Sequence, residues 1–600
     1  MVHKVLGTGR QQQLQRLLWG VLATGPLLAH AETMYNHEAV IPPQCYTQTA
    51  GKYNPCYICH QSHPQGTRIN YMDDADIQGD YSFSVIGETN HWENLFKPRL
   101  AEIASVTDDS ILEYVRQDNY SALMNTAVAG YTPDLTDLAD PGIAFDDQGF
   151  ARDGSGWVAF NYKPLPSTFW PTNGNFDDVM IRLPLAFRQD TGGNENRALY
   201  LLNLSLVEMA IKDLDHISIP VTDESLIGLD LDGDNLSGTA VRMLRRDQYL
   251  GAAADKIVER QQYPVGTEFI HTVRYLDING DGSIAPSRRL KELRYSRKYR
   301  TLSEVALRYV FNQEQREKAE EKLPHYSWAK PAPQAGMNNK LGWQIQGWIE
   351  DESGDLRLQS YEENFFCMGC HTTIGTHIDS TLAFPRKVTG AAGWGYINLK
   401  GMEDAPNYGE KIGEIATYLE RVGGGDEFRQ NGEMTQRWFN GDGSVNSIAV
   451  GQADVYTLLI PSTERALALN KAYQRTVSEQ SFYLGRDAVL GEPVNVFATV
   501  DQDRVPVLPA SRQYHYDLRL QWPDLSPVIS DPDSGVVEAP VIALPGTWQP
   551  TPDSEENENA ANVSETSGDR KGGAFSFAVL LVFLALAATL KRRVSQVARS

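Results

Sequence analysis

The spacing of apolar residues along the chain predicts several helices. Three stretches repeat apolar side chains at three- and four-residue intervals: 197–214, 287–322 and 408–422. In the last stretch Ile412, Ile415 and Leu419 share one face. Gly423 follows directly, and glycine is common just beyond the last turn of a helix. We therefore expect three helices, the last of which ends before Gly423.

Strict alternation of polar and apolar residues predicts strands elsewhere. In 513–522, aromatic and leucine side chains alternate with polar ones, as in a half-buried strand. Around His271, the alternating residues Phe269 and Val273 mark the more apolar face, so a strand there would bury the imidazole. Helices, strands and long connecting segments together predict an α+β, loop-rich fold.

The two ends of the chain indicate export. Residues 1–31 combine scattered cations, an apolar stretch and a small-x-small site at 29–31, as a cleaved signal peptide does. The apolar run 574–590 is at the short limit for a membrane helix, and the basic tail 591–600 follows it. By the positive-inside rule this tail is cytoplasmic. We therefore expect a C-terminal transmembrane helix, with the preceding chain on the periplasmic face of the inner membrane.

Four of the five cysteines form two Cys-x-x-Cys-His motifs, from Cys56 to His60 and from Cys367 to His371. This spacing is typical of c-type haem attachment. Two thiols three positions apart on one turn can add to the two vinyl groups of one porphyrin, and the adjacent histidine then reaches the iron. One such motif could equally be a zinc or redox cysteine pair that precedes a histidine. Two of them in an exported chain favour haem.

On these two motifs the chain resembles the multihaem and dihaem c-type cytochromes. The resemblance implies two c-type haems with thioether bonds to Cys56, Cys59, Cys367 and Cys370, and with His60 and His371 as proximal iron ligands. It also implies electron transfer in the periplasm or at the cell surface, with other redox proteins or an extracellular acceptor as partners. The alternative is a haem-dependent oxidoreductase that keeps one iron open and acts on a small molecule.

The tail of the chain resembles a second family. Gly572 and Gly573, the apolar run 574–590 and the basic tail are similar to a GlyGly-CTERM sorting signal. The resemblance implies that the helix is removed during export, so that the mature protein is released or moved to the cell surface. A permanent membrane anchor is the alternative.

The charge of the chain restricts its partners. Acidic residues outnumber basic residues by 77 to 54, and the formal net charge is −23. Such a chain is not expected to bind nucleic acid. The acidity serves either solubility alone or the attraction of a basic redox partner.

The sixth ligand of each iron decides the chemistry, because a filled position favours electron transfer and an open one admits a substrate. His271 is one candidate distal ligand, since its strand would bury it; a satisfied core histidine is the alternative. His91 is the other, because it follows the turn-like segment 87–90 and could cap the first haem from a loop.

Two acidic segments resemble the calcium loops of EF-hand proteins, in which oxygen donors alternate along the chain. The candidate ligands of the first segment are Asp230, Asp232, Asp234 and Ser237, and those of the second are Asp277, Asn279, Asp281 and Ser283. In the second segment Arg288 stands where an EF-hand has a bidentate acid, so either the affinity for calcium is lower or a carboxylate comes from elsewhere, with Glu292 as one candidate donor. We expect structural calcium at both, with a solvated acidic turn as the alternative.

These features divide the chain into expected units. They are a signal peptide (1–31), a first haem segment (32–139), an insert with the calcium-like loops (140–330), a second haem segment (331–480), a β-rich region (481–525), an acidic disordered stalk (526–573), the transmembrane or sorting helix (574–590) and the cytoplasmic tail (591–600). Cys45 is left over, either as a buried thiol or as half of a labile disulfide between two molecules.

Overall fold

The computed structural model describes residues 34–523, apart from 50–52, 54, 64–67, 70–73, 80, 126–131, 168, 424–430 and 507. The expected signal peptide, acidic stalk, apolar run and basic tail lie outside the described residues.

Antiparallel strands form the centre of the molecule. They are β1 (Val158–Ala159), β2 (Phe176–Arg182), β3 (His216–Asp223), β4 (Thr239–Leu244), β5 (Glu268–Ile278), β6 (Ile284–Lys298), β7 (Met337–Asn338), β8 (Trp343–Glu350) and β9 (Leu356–Leu358). The main sheet has the order β1-β2-β5-β6-β8-β7, and β9 pairs with β8. The strands β3 and β4 form a separate pair. Since β6 and β8 are neighbours, the expected insert and the second haem segment share one sheet.

Helices of mixed length surround the strands. The α-helices are α1 (Leu100–Ile103), α2 (Asp108–Val115), α3 (Tyr120–Asn125), α4 (Pro141–Ala144), α5 (Arg197–Lys212), α6 (Glu224–Ile227), α7 (Glu304–Ala319), α8 (Tyr361–Phe365), α9 (Glu414–Val422), α10 (Gly432–Trp438), α11 (Ser447–Gln452), α12 (Val455–Leu459) and α13 (Thr463–Glu479). Short 3₁₀ helices lie at Pro43–Tyr46, Pro55–Ile58, Ala75–Gly79, Glu93–Phe96, Pro171–Asn173, Leu185–Arg188, Gly251–Ala253, Phe366–Gly369, Phe384–Arg386, Ala391–Gly393, Phe482–Leu484 and Ala510–Arg512.

The α+β, loop-rich fold predicted from the sequence is confirmed. Helix α5 matches the expected helix at 197–214, and Asn196 caps its first turn by accepting a hydrogen bond from the Leu199 amide at 3.0 Å. Helix α9 ends at Val422, and Gly423 takes a left-handed backbone conformation there.

Two expected elements are wrong. The stretch 287–322 is not one helix, because its first part forms β6 and only its later part forms α7. Pairing with β5 on one side and β8 on the other outweighs the helical spacing of its apolar residues. The stretch 513–522 is not a strand: the amides of Tyr514 and Tyr516 donate to the side chains of Gln78 and Gln61 instead of to a neighbouring strand.

One face of the main sheet forms the wall of a cavity. Val179 of β2 lies opposite His271 of β5, which lies opposite Arg294 of β6. All three side chains line the cavity. Asp177 and Phe269 lie two residues away on the same strands and line it too, since alternate residues of a strand face the same way.

Candidate functional site

Both Cys-x-x-Cys-His motifs line this one cavity, whose volume is about 360 Å³. The sheet face forms one wall, and the two motifs contribute their cysteines and histidines: Cys56, Cys59, His60, Cys367, Cys370 and His371. Helix α7 and the residues after it close another side with polar side chains. The fold therefore brings together two motifs that are far apart in the sequence.

Each motif forms one tight turn with the same backbone hydrogen bonds. In the first, the His60 amide donates to the Cys56 carbonyl at 2.9 Å. In the second, the His371 amide donates to the Cys367 carbonyl at 3.1 Å. The second turn continues from α8, which begins with a capping box between Ser360 and Glu363. Each turn thus presents two thiols and one imidazole to the cavity.

The imidazole of His60 is oriented by a carboxylate. Its Nδ1 lies 3.0 Å from Oδ2 of Asp74, a buried residue. The other oxygen, Oδ1, accepts a hydrogen bond from the Gln61 amide at 2.9 Å. With Nδ1 engaged, Nε2 is the nitrogen left to bind a metal from the cavity wall, an arrangement typical of histidine ligands.

The imidazole of His371 is oriented by a backbone carbonyl. Its Nδ1 donates to the Ser380 carbonyl oxygen at 2.6 Å. Asp379 and Ser380 both have left-handed backbone angles, with φ of 48° and 61°, and this turn directs the carbonyl at the ring. Burial lowers the pKa of His371 to about 4, which keeps the ring neutral, as metal binding requires.

Hydrogen bonds connect the first motif and Asp74 to the segment that follows the second motif. The Gly375 amide, four residues after His371, donates to Asp74 Oδ2 at 3.2 Å. The Thr376 hydroxyl donates to the carbonyl of Ile58, inside the first motif, at 3.1 Å. Asp74 therefore contacts both the first histidine and the backbone that follows the second.

The expected distal candidates have different positions. His271 faces the cavity, and its buried Nε2 has no hydrogen-bond partner; Asp177 Oδ2 lies 3.4 Å away but not in hydrogen-bonding geometry. Its ring contacts Phe169 edge to face. His91 does not line the cavity and instead contacts the ring of Tyr35, so the structure does not bring it to either motif.

His377, close to the second motif, has a structural position. Its buried ring accepts a hydrogen bond from the Ser380 amide at Nδ1 and engages the Thr372 carbonyl through Nε2. Both ring nitrogens are therefore used within the turn that orients His371.

Cys45 also lines the cavity. Burial raises the pKa of its thiol well above the usual range, so the thiol is protonated at neutral pH and a poor nucleophile. It is not disulfide-bonded to any described cysteine. This position agrees with the buried-thiol interpretation.

The first calcium-like segment gathers part of its expected ligands. Asp232 and Asp234 come within 4.8 Å of one another and of Glu224, which begins α6 and was not predicted from the sequence. Asp230 instead accepts hydrogen bonds from the amides of Gly233 and Asn235. Partial burial and the neighbouring carboxylates raise the pKa of Asp232.

Internal contacts occupy the second calcium-like segment, which forms the turn between β5 and β6. Asp277 pairs with Arg116 at 2.9 Å, and Asp281 accepts from the amide and hydroxyl of Ser283. Glu292, considered as an additional donor, is buried against Arg294 and Arg486. The expected role of Glu292 is therefore wrong, because both arginines already neutralise its carboxylate.

Comparisons with known proteins give the family. A family model described as a "-like lipoprotein" matches residues 29–456, which include both motifs. The chain belongs to this lipoprotein-like family. It is similar to an uncharacterized lipoprotein of Aquifex aeolicus (strain VF5), with 32% identity over 517 residues; the match covers 76% of this chain and 86% of the relative. No solved structure matches. Membership of the lipoprotein-like family makes this an exported, membrane-associated protein, as its leader predicts.

The lipoprotein-like family corrects two predictions. Membership of the multihaem and dihaem c-type cytochromes is wrong, since the matching family is a lipoprotein family and no cytochrome c family matches. Two five-residue motifs specify local chemistry and are too short to define a family. The cytochrome-type redox partners inferred with that resemblance are withdrawn.

The route to the membrane is corrected as well. The transmembrane helix expected at the C-terminus is not supported, since the matching family is a lipoprotein family and none of the helices in the described residues is long and apolar enough to cross a bilayer. The run 574–590 and the tail that resembles a GlyGly-CTERM signal lie outside the described residues.

Proposed function

We propose that this protein binds two haems covalently, one at each Cys-x-x-Cys-His turn, and transfers electrons through them. The observation that carries the proposal is that the thiols and histidines of both turns line a single cavity. Aromatic and apolar side chains make up much of the remaining lining, which suits the faces of a porphyrin. The local chemistry of the two turns, and not membership of a cytochrome family, supports this function.

The residues that line the cavity include the types that hold a c-type haem, namely cysteine thiols and histidine imidazoles. Such a group supplies an iron that alternates between two oxidation states. At the first turn, Cys56 and Cys59 would form the thioether bonds and His60 Nε2 would bind the iron. At the second turn, Cys367 and Cys370 would form them, and His371 Nε2 would bind. Asp74 and the Ser380 carbonyl hold the two rings in place.

The arrangement favours haem over zinc. A zinc site gathers four ligand atoms around one ion. Among the residues that the structure describes, neither turn brings three cysteine, histidine or carboxylate ligand atoms within 4.8 Å of one another. Porphyrin attachment instead spreads two thiols and one imidazole over a group that is several ångströms wide.

Cations in the lining could bind the propionates of the haems. Arg294 of β6, Lys318 of α7 and Lys322 face the cavity. Arginine and lysine are the usual partners of buried carboxylates, because an unpaired charge is costly to remove from water.

Electron transfer is favoured over catalysis at an open iron by the position of His271. Its buried Nε2 has no hydrogen-bond partner and lies on the cavity wall. Iron coordination would satisfy this nitrogen and fill a sixth position. An inert, six-coordinate iron is suited to electron exchange and not to substrate binding.

A spectroscopic experiment on the purified full-length protein tests the proposal. Oxidised and dithionite-reduced spectra, with and without carbon monoxide, are recorded beside a pyridine haemochrome assay. We expect two covalent haems per chain, with no carbon monoxide binding at the iron that His271 would coordinate. The variant Cys45→Ser is the matched control, because Cys45 lines the same cavity outside both motifs and its loss should leave the haem count unchanged. Carbon monoxide binding at both haems would show that His271 leaves the iron open and would favour the open-iron oxidoreductase.

We also propose a structural calcium ion at Glu224, Asp232 and Asp234. Three carboxylates this close repel one another, and a divalent cation would relieve the repulsion. Adding calcium to protein treated with EGTA should raise the melting temperature, and Asp232→Asn/Asp234→Asn should abolish the increase. Asp281→Asn is the control, since Asp281 lies in the other acidic turn. An equal increase in all three proteins would contradict the site.

A further inference from the structure

The partners of the two proximal histidines differ in charge. His60 Nδ1 faces a carboxylate oxygen of Asp74 at 3.0 Å, whereas His371 Nδ1 faces the neutral carbonyl oxygen of Ser380 at 2.6 Å. The two Cys-x-x-Cys-His turns share their cysteine and histidine residues and their backbone hydrogen bonds, although the two residues between the cysteines differ. The group behind each imidazole is the difference in charge that lies directly against the proximal rings.

The Asp74 side chain is built into the fold. It is buried, and three N–H donors converge on its two oxygens: His60 Nδ1, the Gln61 amide and the Gly375 amide. These contacts fix the position of the carboxylate relative to the imidazole. In contrast, Ser380 is held by the His377 ring, which accepts its amide proton, and by Asn339, which donates to its hydroxyl.

A carboxylate behind a metal-bound imidazole changes the metal. When Nδ1–H donates to an anion, the ring gains negative charge and Nε2 becomes a stronger donor to the iron. A stronger donor stabilises the more highly charged, oxidised iron and lowers its reduction potential. A neutral carbonyl does this to a smaller extent.

We propose that Asp74 is a positioning residue that makes the two haem sites unequal, with the site at His60 having the lower reduction potential and the site at His371 the higher. This inference rests on the proposed function, since it requires haem at both turns. Upon partial reduction, the electron would reside first at the second turn. The shared cavity makes the two sites neighbours, so the inequality would set the direction of electron flow between them.

A redox titration of the full-length protein, followed by optical spectra, tests the inference. We expect two distinct midpoint potentials. Asp74→Asn removes the charge while keeping the size of the side chain, and it should raise the lower potential and leave the higher one in place. Asp74→Glu keeps the charge and should retain a potential difference. If Asp74 only stabilised the fold, Asp74→Asn and Asp74→Glu would change the lower potential in the same way.

Thr376→Val is the matched control for the fold. It removes the hydrogen bond to the Ile58 carbonyl at the same junction between the motifs, without touching the charge behind His60. We expect both potentials to stay at their original values. Haem is counted in every variant. Two haems with potentials that Asp74→Asn does not change, or moves together, would overturn the inference, whereas the absence of covalent haem would overturn the proposed function itself.

Discussion

The two Cys-x-x-Cys-His turns have the same ligand residues but different surroundings. The first is supported by Asp74, whose carboxylate joins His60 to the backbone after the second motif. The second is supported by a left-handed turn whose Ser380 carbonyl meets His371. Identical local chemistry can therefore be placed in two electrostatic environments by contacts remote in sequence. The comparison teaches that the motif supplies the ligands and the fold sets their properties.

Removing the two thiols of one turn at a time should have the largest effect, so it tests the comparison of the two turns most strongly. Cys56→Ser/Cys59→Ser should reduce covalent haem from two groups per chain to one, and Cys367→Ser/Cys370→Ser should do the same. Each attachment depends only on its own thiols. Intact-mass spectrometry counts the haems and identifies the turn that retains one. Loss of both haems from either double variant would show that the turns do not act as separate attachment sites.

The support of the second turn depends on a buried ion pair. Lys298 at the end of β6 pairs with Asp379, beside Ser380, and both side chains are buried. Lys298→Met would leave the Asp379 carboxylate buried and unpaired, which costs about 3–5 kcal/mol in the free energy of unfolding. Urea unfolding measures this loss.

The control for that change is an exposed ion pair. Arg308→Ala removes a pair with Glu304 on the surface of α7 and should cost less than about 0.5 kcal/mol. Equal losses for the two variants would mean that the Asp379 turn is not held as described.

Replacing the candidate distal ligand, His271, tests the comparison at one of the two irons. His271→Ala should convert one of the two haems from low-spin to high-spin and allow it to bind carbon monoxide, because the sixth ligand is lost. EPR and carbon monoxide difference spectra measure the change. His91→Ala is the control, since His91 lies away from the cavity and its loss should leave the spin state of each haem unchanged. Spin states that are also unchanged in His271→Ala would exclude His271 as a ligand.

A further expected effect is a pH dependence of stability from Glu314, which faces the cavity from α7. Burial, followed by repulsion from Glu317 and Asp74, raises the pKa of Glu314 from 4.5 to about 7. Between these values the folded protein holds a proton that the unfolded chain has released. The contribution to stability is therefore present below pH 4.5 and is lost as the pH rises through 7.

The Glu314→Gln variant provides the test of this pH dependence. Its side chain cannot titrate, so the free energy of unfolding should fall less steeply between pH 4.5 and 7 than in the original protein. Denaturant unfolding at several pH values measures the two slopes. Equal slopes would show that Glu314 has the same pKa in the folded and unfolded chain.

The sequence identified the candidate metal-ligand residues better than the residues that contact them in the fold. The cysteines and histidines of both motifs could be identified because their spacing is local, and the strand of His271 could be identified from alternation over a few residues. Asp74 could not be identified, since its contact with Gly375 joins positions separated by 301 residues. Glu224 was missed beside the first calcium-like segment because it approaches from α6.

The errors in secondary structure have a similar cause. The apolar spacing of 287–322 fits a helix, yet β6 is fixed there by neighbours on both sides that lie elsewhere in the chain. At 513–522 the alternation fits a strand, but backbone pairing there is limited to an isolated bridge between Leu520 and Asn407, and the side chains of Gln61 and Gln78 bind the amides of Tyr516 and Tyr514. The local pattern of apolar residues gives a segment a preference for helix or strand, and its contacts with the rest of the fold decide which of the two forms.

The most direct test of the central claim is the covalent haem content of the mature protein, purified from its natural compartment and measured by intact mass together with the pyridine haemochrome spectrum. Two haems per chain, bound through both motifs, is the result that we predict. A mature protein without covalent haem, with all four motif cysteines as free thiols, would contradict the proposed function.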